Sequence, residues 1–122
     1  MAAQLYLYQD EEGHAPLLPW LDNLPKKARG KCLARIARLM ALGNGLRRPE
    51  ADYLRDGIYE LRASYQGVHY RMLYFFSGQA IVVLSHGLTK EQEVPKREID
   101  KAVERKKHVE ADFKRYTLKP EF

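Results

Sequence analysis

Apolar and polar positions alternate most regularly over residues 57–90, GIYELRASYQGVHYRMLYFFSGQAIVVLSHGLTK. Period-two alternation is the signature of strands with one face buried. The run breaks at Gln66-Gly67 and again at Ser77-Gly78. A glycine in second place supplies the positive φ of a two-residue hairpin loop, so the stretch predicts three antiparallel strands. With two-residue loops, Tyr65 faces Val68 and Arg62 faces Arg71 across the first hairpin. In the second, Phe76 faces Gln79, Arg71 faces Leu84 and His69 faces His86. Side chains alternate faces along a strand. Arg62, Arg71, His69 and His86 are therefore expected on one face with Glu60 and Ser64. Tyr59, Leu61, Ala63, Val68, Tyr70, Met72, Tyr74, Phe76, Ile81 and Val83 would make the other face a core wall.

Other patterns flank this sheet. The apolar and aromatic run Gln4–Tyr8 lacks clean alternation and predicts a strand buried on both faces. Residues 14–23 predict a short helix with Leu17, Leu18, Trp20, Leu21 and Leu24 as its apolar set and Trp20 as a core anchor. The clearest helix covers 25–42: Pro25 suits a helix start, and Ala28, Cys32, Leu33, Ile36, Ala37, Leu39 and Met40 recur at helical spacing. Gly43-Asn44-Gly45 ends it. Residues 47–56 predict a loop or short edge segment, and 87–94 a polar loop. A second long helix runs from Pro95 to about residue 114, with Ile99, Ala102, Val103, Val109 and Phe113 on one face. Residues 116–122 are expected to form a loose tail.

Composition narrows the class. A chain of 122 residues is one domain, here residues 1–122, with room for a real core. The single cysteine excludes a disulfide framework and reads as a small core residue. Four histidines and one cysteine show no metal-ligand spacing, so no metal or cofactor is expected. Without a long apolar run or a signal peptide, no membrane association is expected, and the reading points to a reducing cytoplasm. The net charge of +5 favours a polyanionic partner.

Two arginines paired across strands repel unless something anionic sits between them. One reading is that Glu60 or another carboxylate neutralises them. The other is that a ligand phosphate does, because the guanidinium fork suits phosphate oxygens. A histidine nearby adds a group that titrates near neutral pH. On the first long helix, Lys27, Lys31, Arg35 and Arg38 form a second stripe. It is either a solvated face or a contact for an anionic surface.

The segments GIYELRASYQGVHYRMLYFF and IVVLSHGLTK, followed by VPKREIDKAVERKKHVEADF, resemble the RelE/HigB-like toxins of type II toxin–antitoxin modules. They are most similar to the phage-derived HigB-like branch of the RelE/ParE superfamily. The resemblance covers about residues 5–113. It implies an α+β fold: a small twisted, mainly antiparallel sheet, two N-terminal helices packed on one face, and a C-terminal helix. The elements read from the patterning agree with that plan. It implies a metal-independent mRNA endoribonuclease that inhibits translation at the ribosome and is neutralised by a cognate antitoxin, often of helix-turn-helix type.

By resemblance, Arg62 and Arg71 bind phosphate or stabilise the transition state, and His86 and Lys90 complete the catalytic set. Lys96 and Arg97 match the basic start of the family's last helix and are expected RNA-binding positions; the Lys27, Lys31, Arg35 and Arg38 stripe, read from its charge pattern, is expected to contact RNA or the antitoxin. Leu88 stands where relatives often carry an aromatic. Two alternatives remain open. A ParE-like relative would bind DNA gyrase without cleaving anything, and a basic RNA-binding module would have no chemistry.

Overall fold

The computed structural model describes residues 2–89 and 92–122. It is α+β and built on one mainly antiparallel six-stranded open sheet, consistent with a RelE-like fold. The strands are β1 (Gln4–Tyr8), β2 (Ala51–Arg55), β3 (Ile58–Tyr65), β4 (Val68–Ser77), β5 (Ile81–Thr89) and β6 (Thr117–Leu118). Their order is β2-β3-β4-β5-β1-β6. β1 runs parallel to β5 and antiparallel to β6. The helices are α1 (Leu17–Asp22), α2 (Lys26–Leu42), α3 (Lys96–Ala111) and the single turn α4 (Phe113–Tyr116).

The sheet is covered on both sides. On one face, Leu17 and Leu21 of α1 and Ala28, Cys32, Ile36 and Leu39 of α2 meet Leu5, Leu7, Leu61, Met72, Tyr74, Val82 and Leu84. On the other, Ala102 and Val109 of α3 meet Tyr8, Ile58, Leu73, Phe75 and Val83. Each large aliphatic side chain sealed in this way contributes about 1.5–3 kcal/mol. β1 is interior and buried from both sides, as its lack of alternation predicts. Ile81 and Val83, expected on the α2 wall, instead point toward α3, while Val82 and Leu84 take the α2 side.

That reversal has a definite cause. The first hairpin has the expected two-residue loop, with Gln66 and Gly67 both at positive φ and Tyr65 opposite Val68. The second pairs Ser77 with Ile81, so its loop holds three residues, Gly78, Gln79 and Ala80. An odd loop flips which face each β5 side chain takes. A bulge then flips it back. Tyr74 pairs with Leu84 but Leu73 pairs with His86, leaving Ser85 as the extra residue. Arg71 consequently faces Leu88 rather than Leu84, yet His86 still shares a face with Arg71, Arg62 and Glu60.

Three further expectations change. β5 continues through Gly87 and Leu88 to Thr89, where a loop was expected. The last helix breaks at Asp112, whose extended backbone ends α3 and whose side chain caps α4 by accepting from the Arg115 N–H. Residues 117–118 are no loose tail: they pair with Leu7 and Tyr8 as β6, and Thr117 is buried.

Gly87 is where β5 passes closest to α1. A Cβ built there would lie 2.2–2.4 Å from three ring atoms of Trp20. The Trp20 indole N–H donates to Thr89 Oγ1 at 3.0 Å, so the ring is fixed from both ends of this strand segment. Gly87→Ala should therefore cost about 1–3 kcal/mol through overpacking. Trp20 is the chain's one tryptophan, so its fluorescence reports the change directly. An unchanged urea midpoint and emission spectrum would show that the ring has room to move.

Candidate functional site

A polar row crosses the α3-side face of β3 and β4 beside the start of α3. Glu60 is buried, with its side chain 4% exposed, and lies between two guanidiniums. Its Oε2 accepts from Arg62 Nη2 at 3.0 Å, and its Oε1 lies 3.2 Å from Arg71 Nη1. The second contact is close but makes no hydrogen bond, which leaves Oε1 buried without a partner; Arg62 Nε is likewise buried without one. Arg62 Nη2 also reaches Asp52 at 3.3 Å, and Asp52 in turn binds Arg48 at 3.0 Å. Arg71 donates from Nη2 to the carbonyl of Gln92, just before α3. The carboxylate reading of the arginine pair is thus present in the fold: Glu60 does sit between them. With Asp52 and Arg48 included, two carboxylates meet three guanidiniums, which leaves one positive charge on the row.

His86 lies diagonally across from Arg71, a separation of roughly 7–8 Å between backbones. Its side chain is buried and both ring nitrogens are engaged. Arg105 Nη1 donates to Nδ1 at 3.0 Å, with Ser85 Oγ at 2.7 Å, and Nε2–H donates to Glu98 Oε1 at 3.0 Å. A guanidinium can only donate, so Nδ1 accepts and the proton sits on Nε2. Burial, reinforced by the Arg105 charge, pushes the His86 pKa down to about 4. The ring is neutral at pH 7. Burial pushes the Glu98 carboxyl up, but Lys101 and His86 outweigh it, and the net shift is downward. Sequence reasoning missed Glu98 and Arg105, because their link to His86 spans 12 and 19 residues and depends on where α3 lands.

The remaining expected site residues are scattered. Lys96 and Arg97 are exposed at the start of α3, paired with Asp100 at 3.0 Å and Glu98 at 3.5 Å. Lys90 lies outside the described residues. On α2, Lys27 and Lys31 are exposed, whereas Arg35 and Arg38 both hold Glu50 at 2.7 Å. The Arg38 guanidinium keeps the Glu50 carboxyl down at about 2. Half of the stripe is therefore tied by an acid to the edge of the sheet. His69 is exposed, opposite Ser64. Tyr70 and Tyr74 are buried on the α2 side, as expected. Among the described residues, ligand atoms of Asp10, Glu12 and His14 gather within 4.8 Å of one another on the loop after β1. No described helix is long and apolar enough to cross a membrane.

With this geometry, the comparisons define the class. The profile of the phage-derived Gp49-like proteins (DUF891) matches residues 19–107, and the chain belongs to that family. The family is commonly linked to toxin–antitoxin modules of RelE/HigB-like type, which suggests a toxin-type function and an antitoxin partner. No curated protein matches the chain significantly.

The His86 environment sets a pH dependence. In the unfolded chain His86 takes up a proton below about 6.5, but in the fold only near 4. Unfolding therefore binds a proton between these values, and stability falls as pH drops through that window, by up to about 3 kcal/mol. The lowered Glu98 pKa acts in the same direction. Urea midpoints of the wild type should drop more between pH 7 and pH 4.5 than those of His86→Gln. Parallel losses in the two proteins would show that the ring is not held neutral.

Proposed function

We propose that the chain is the toxin of a type II toxin–antitoxin module and acts as an mRNA endoribonuclease at the ribosome. The observation that carries this reading is the group of Arg48, Arg62 and Arg71 around Asp52 and Glu60, in which three guanidiniums meet two carboxylates. A phosphodiester beside Arg62 would balance the charge left over. Strand cleavage by the RNA's own 2′-hydroxyl needs a base for that hydroxyl, cations for charge developing on the phosphoryl oxygens, and an acid for the leaving 5′-oxygen.

Arg62 and Arg71 supply the cations in this scheme. His86 is the proposed acid or base, with Glu98 as its partner. At pH 7 the neutral ring can accept a proton at Nδ1 once Arg105 and Ser85 yield, while Glu98 stabilises the imidazolium through Nε2–H. Lys90 would stabilise charge or donate a proton. Lys96, Arg97, Lys27 and Lys31 would contact RNA backbone, and Arg35 and Arg38 would do so with the charge left after Glu50. These steps require no metal ion. The products would be a 2′,3′-cyclic phosphate and a 5′-hydroxyl, and a small antitoxin would block the site.

The test is expression in a bacterial host. Wild-type protein should arrest growth and halt translation, and Arg71→Ala or His86→Gln should relieve the arrest while circular dichroism stays native. Removing such a group commonly lowers rate about 10²-fold or more. Full toxicity of both folded variants would remove this site. Arrest accompanied by loss of DNA supercoiling, with translation intact, would favour a gyrase-binding relative.

A further inference from the structure

The opposite face of the same sheet carries a feature that the arginine row does not use. Tyr53 of β2, Tyr59 of β3 and Phe76 of β4 stand side by side, with ring centroids 5.0 Å and 5.4 Å apart and edge-to-face. Tyr59 rests on buried Tyr74 at 5.2 Å, so the row has a rigid floor. Tyr53 is 53% exposed and lies over the β2–β3 turn, where its hydroxyl accepts from the Gly57 N–H at 3.0 Å. Two hollows of about 570 and 420 Å³ sit over this row and share Asn44 and Tyr59. Arg47 and Arg48 line the larger one. Arg47 is braced on the carbonyls of Asn44 and Leu46.

We infer that this groove binds bases of single-stranded RNA, with Tyr53 as the stacking residue and Arg47 and Arg48 holding adjoining phosphates. Rigid aromatics on a sheet beside arginines are the chemistry that single strands require. Every base offers a flat π-face, and the backbone between bases needs cations. Asp52 also lines the groove and bonds both Arg48 and Arg62, so it links the groove to the arginine row around edge strand β2. The inference rests on the nuclease reading and extends it: a strand held in the groove would pass round β2 toward Arg62.

The experiment is fluorescence anisotropy of the full chain with a labelled 2′-O-methyl oligoadenosine of about ten nucleotides, within the reach of a small domain. This probe lacks the free 2′-hydroxyl and stays intact. Tyr53→Ala should weaken binding roughly tenfold, and Tyr53→Phe should stay near wild type, because the ring and not the hydroxyl stacks. Arg47→Gln with Arg48→Gln should make the salt dependence shallower, whereas Tyr53→Ala should leave that slope unchanged. Equal affinity of Tyr53→Ala and wild type would overturn the inference, as would equal losses in the Phe and Ala variants. Loss of a protein partner by Tyr53→Ala with RNA affinity intact would also overturn it and assign the groove to a protein contact. Wild-type protein that arrests growth but binds no probe would overturn the groove alone. Protein that does neither would overturn the nuclease reading with it.

Discussion

The bulge at Ser85 is the constraint on which the rest depends. Val82 and Leu84 must point toward α2 to close one core, and His86 must point the other way to meet α3. Strict alternation after a three-residue loop would put His86 on the α2 side, opposite Arg71. One extra residue reconciles the two demands. Ser85 is fully buried and spends its hydroxyl on the His86 ring, so the bulge also fixes the side chain that it re-aims. Gly87 follows for a related reason: β5 resumes its pairing directly under Trp20, where a side chain has no room.

Three carboxylates organise the arginines around edge strand β2 and the α3-side face. Glu50, Asp52 and Glu60 each hold two arginines: Arg35 and Arg38, Arg48 and Arg62, Arg62 and Arg71. The carboxylates orient the guanidiniums and permit their close approach without cancelling their charge. An arginine cluster without them would repel itself apart, and one fully matched by acids would offer nothing to a phosphate. His86 belongs to a separate, drier network in which Arg105 and burial keep it neutral. Neutrality is the state that a proton acceptor needs.

Local signals made much of this legible. The α2 stripe, the two-sided burial of β1 and the register of the first hairpin each follow from a few neighbouring residues. Gln66-Gly67 states its turn type. Asp56-Gly57 closes the β2–β3 hairpin with both residues at positive φ, a signal that the reading of residues 47–56 as a loop or short edge segment leaves unused. The second hairpin was not legible in the same way. Ser77-Gly78 fits loops of two or three residues, and a bulge carries no compositional mark. The shared face of Arg62, Arg71 and His86 was nevertheless anticipated, because an odd loop and a bulge restore the parity that a two-residue loop would give. Glu98, Arg105 and Glu50 were invisible as site members, since their roles come from where helices dock and not from spacing along the chain.

The central claim is that the arginine row supports cleavage of RNA by its own 2′-hydroxyl. The most direct measurement is the chemistry of RNA ends formed by purified protein on translating ribosomes, read by mass spectrometry. Wild-type protein is predicted to leave 2′,3′-cyclic phosphates and 5′-hydroxyls in the presence of EDTA, with Arg62→Ala sharply reducing their yield. Ends carrying 5′-phosphates, or no new ends beside a full block of translation, would contradict the account.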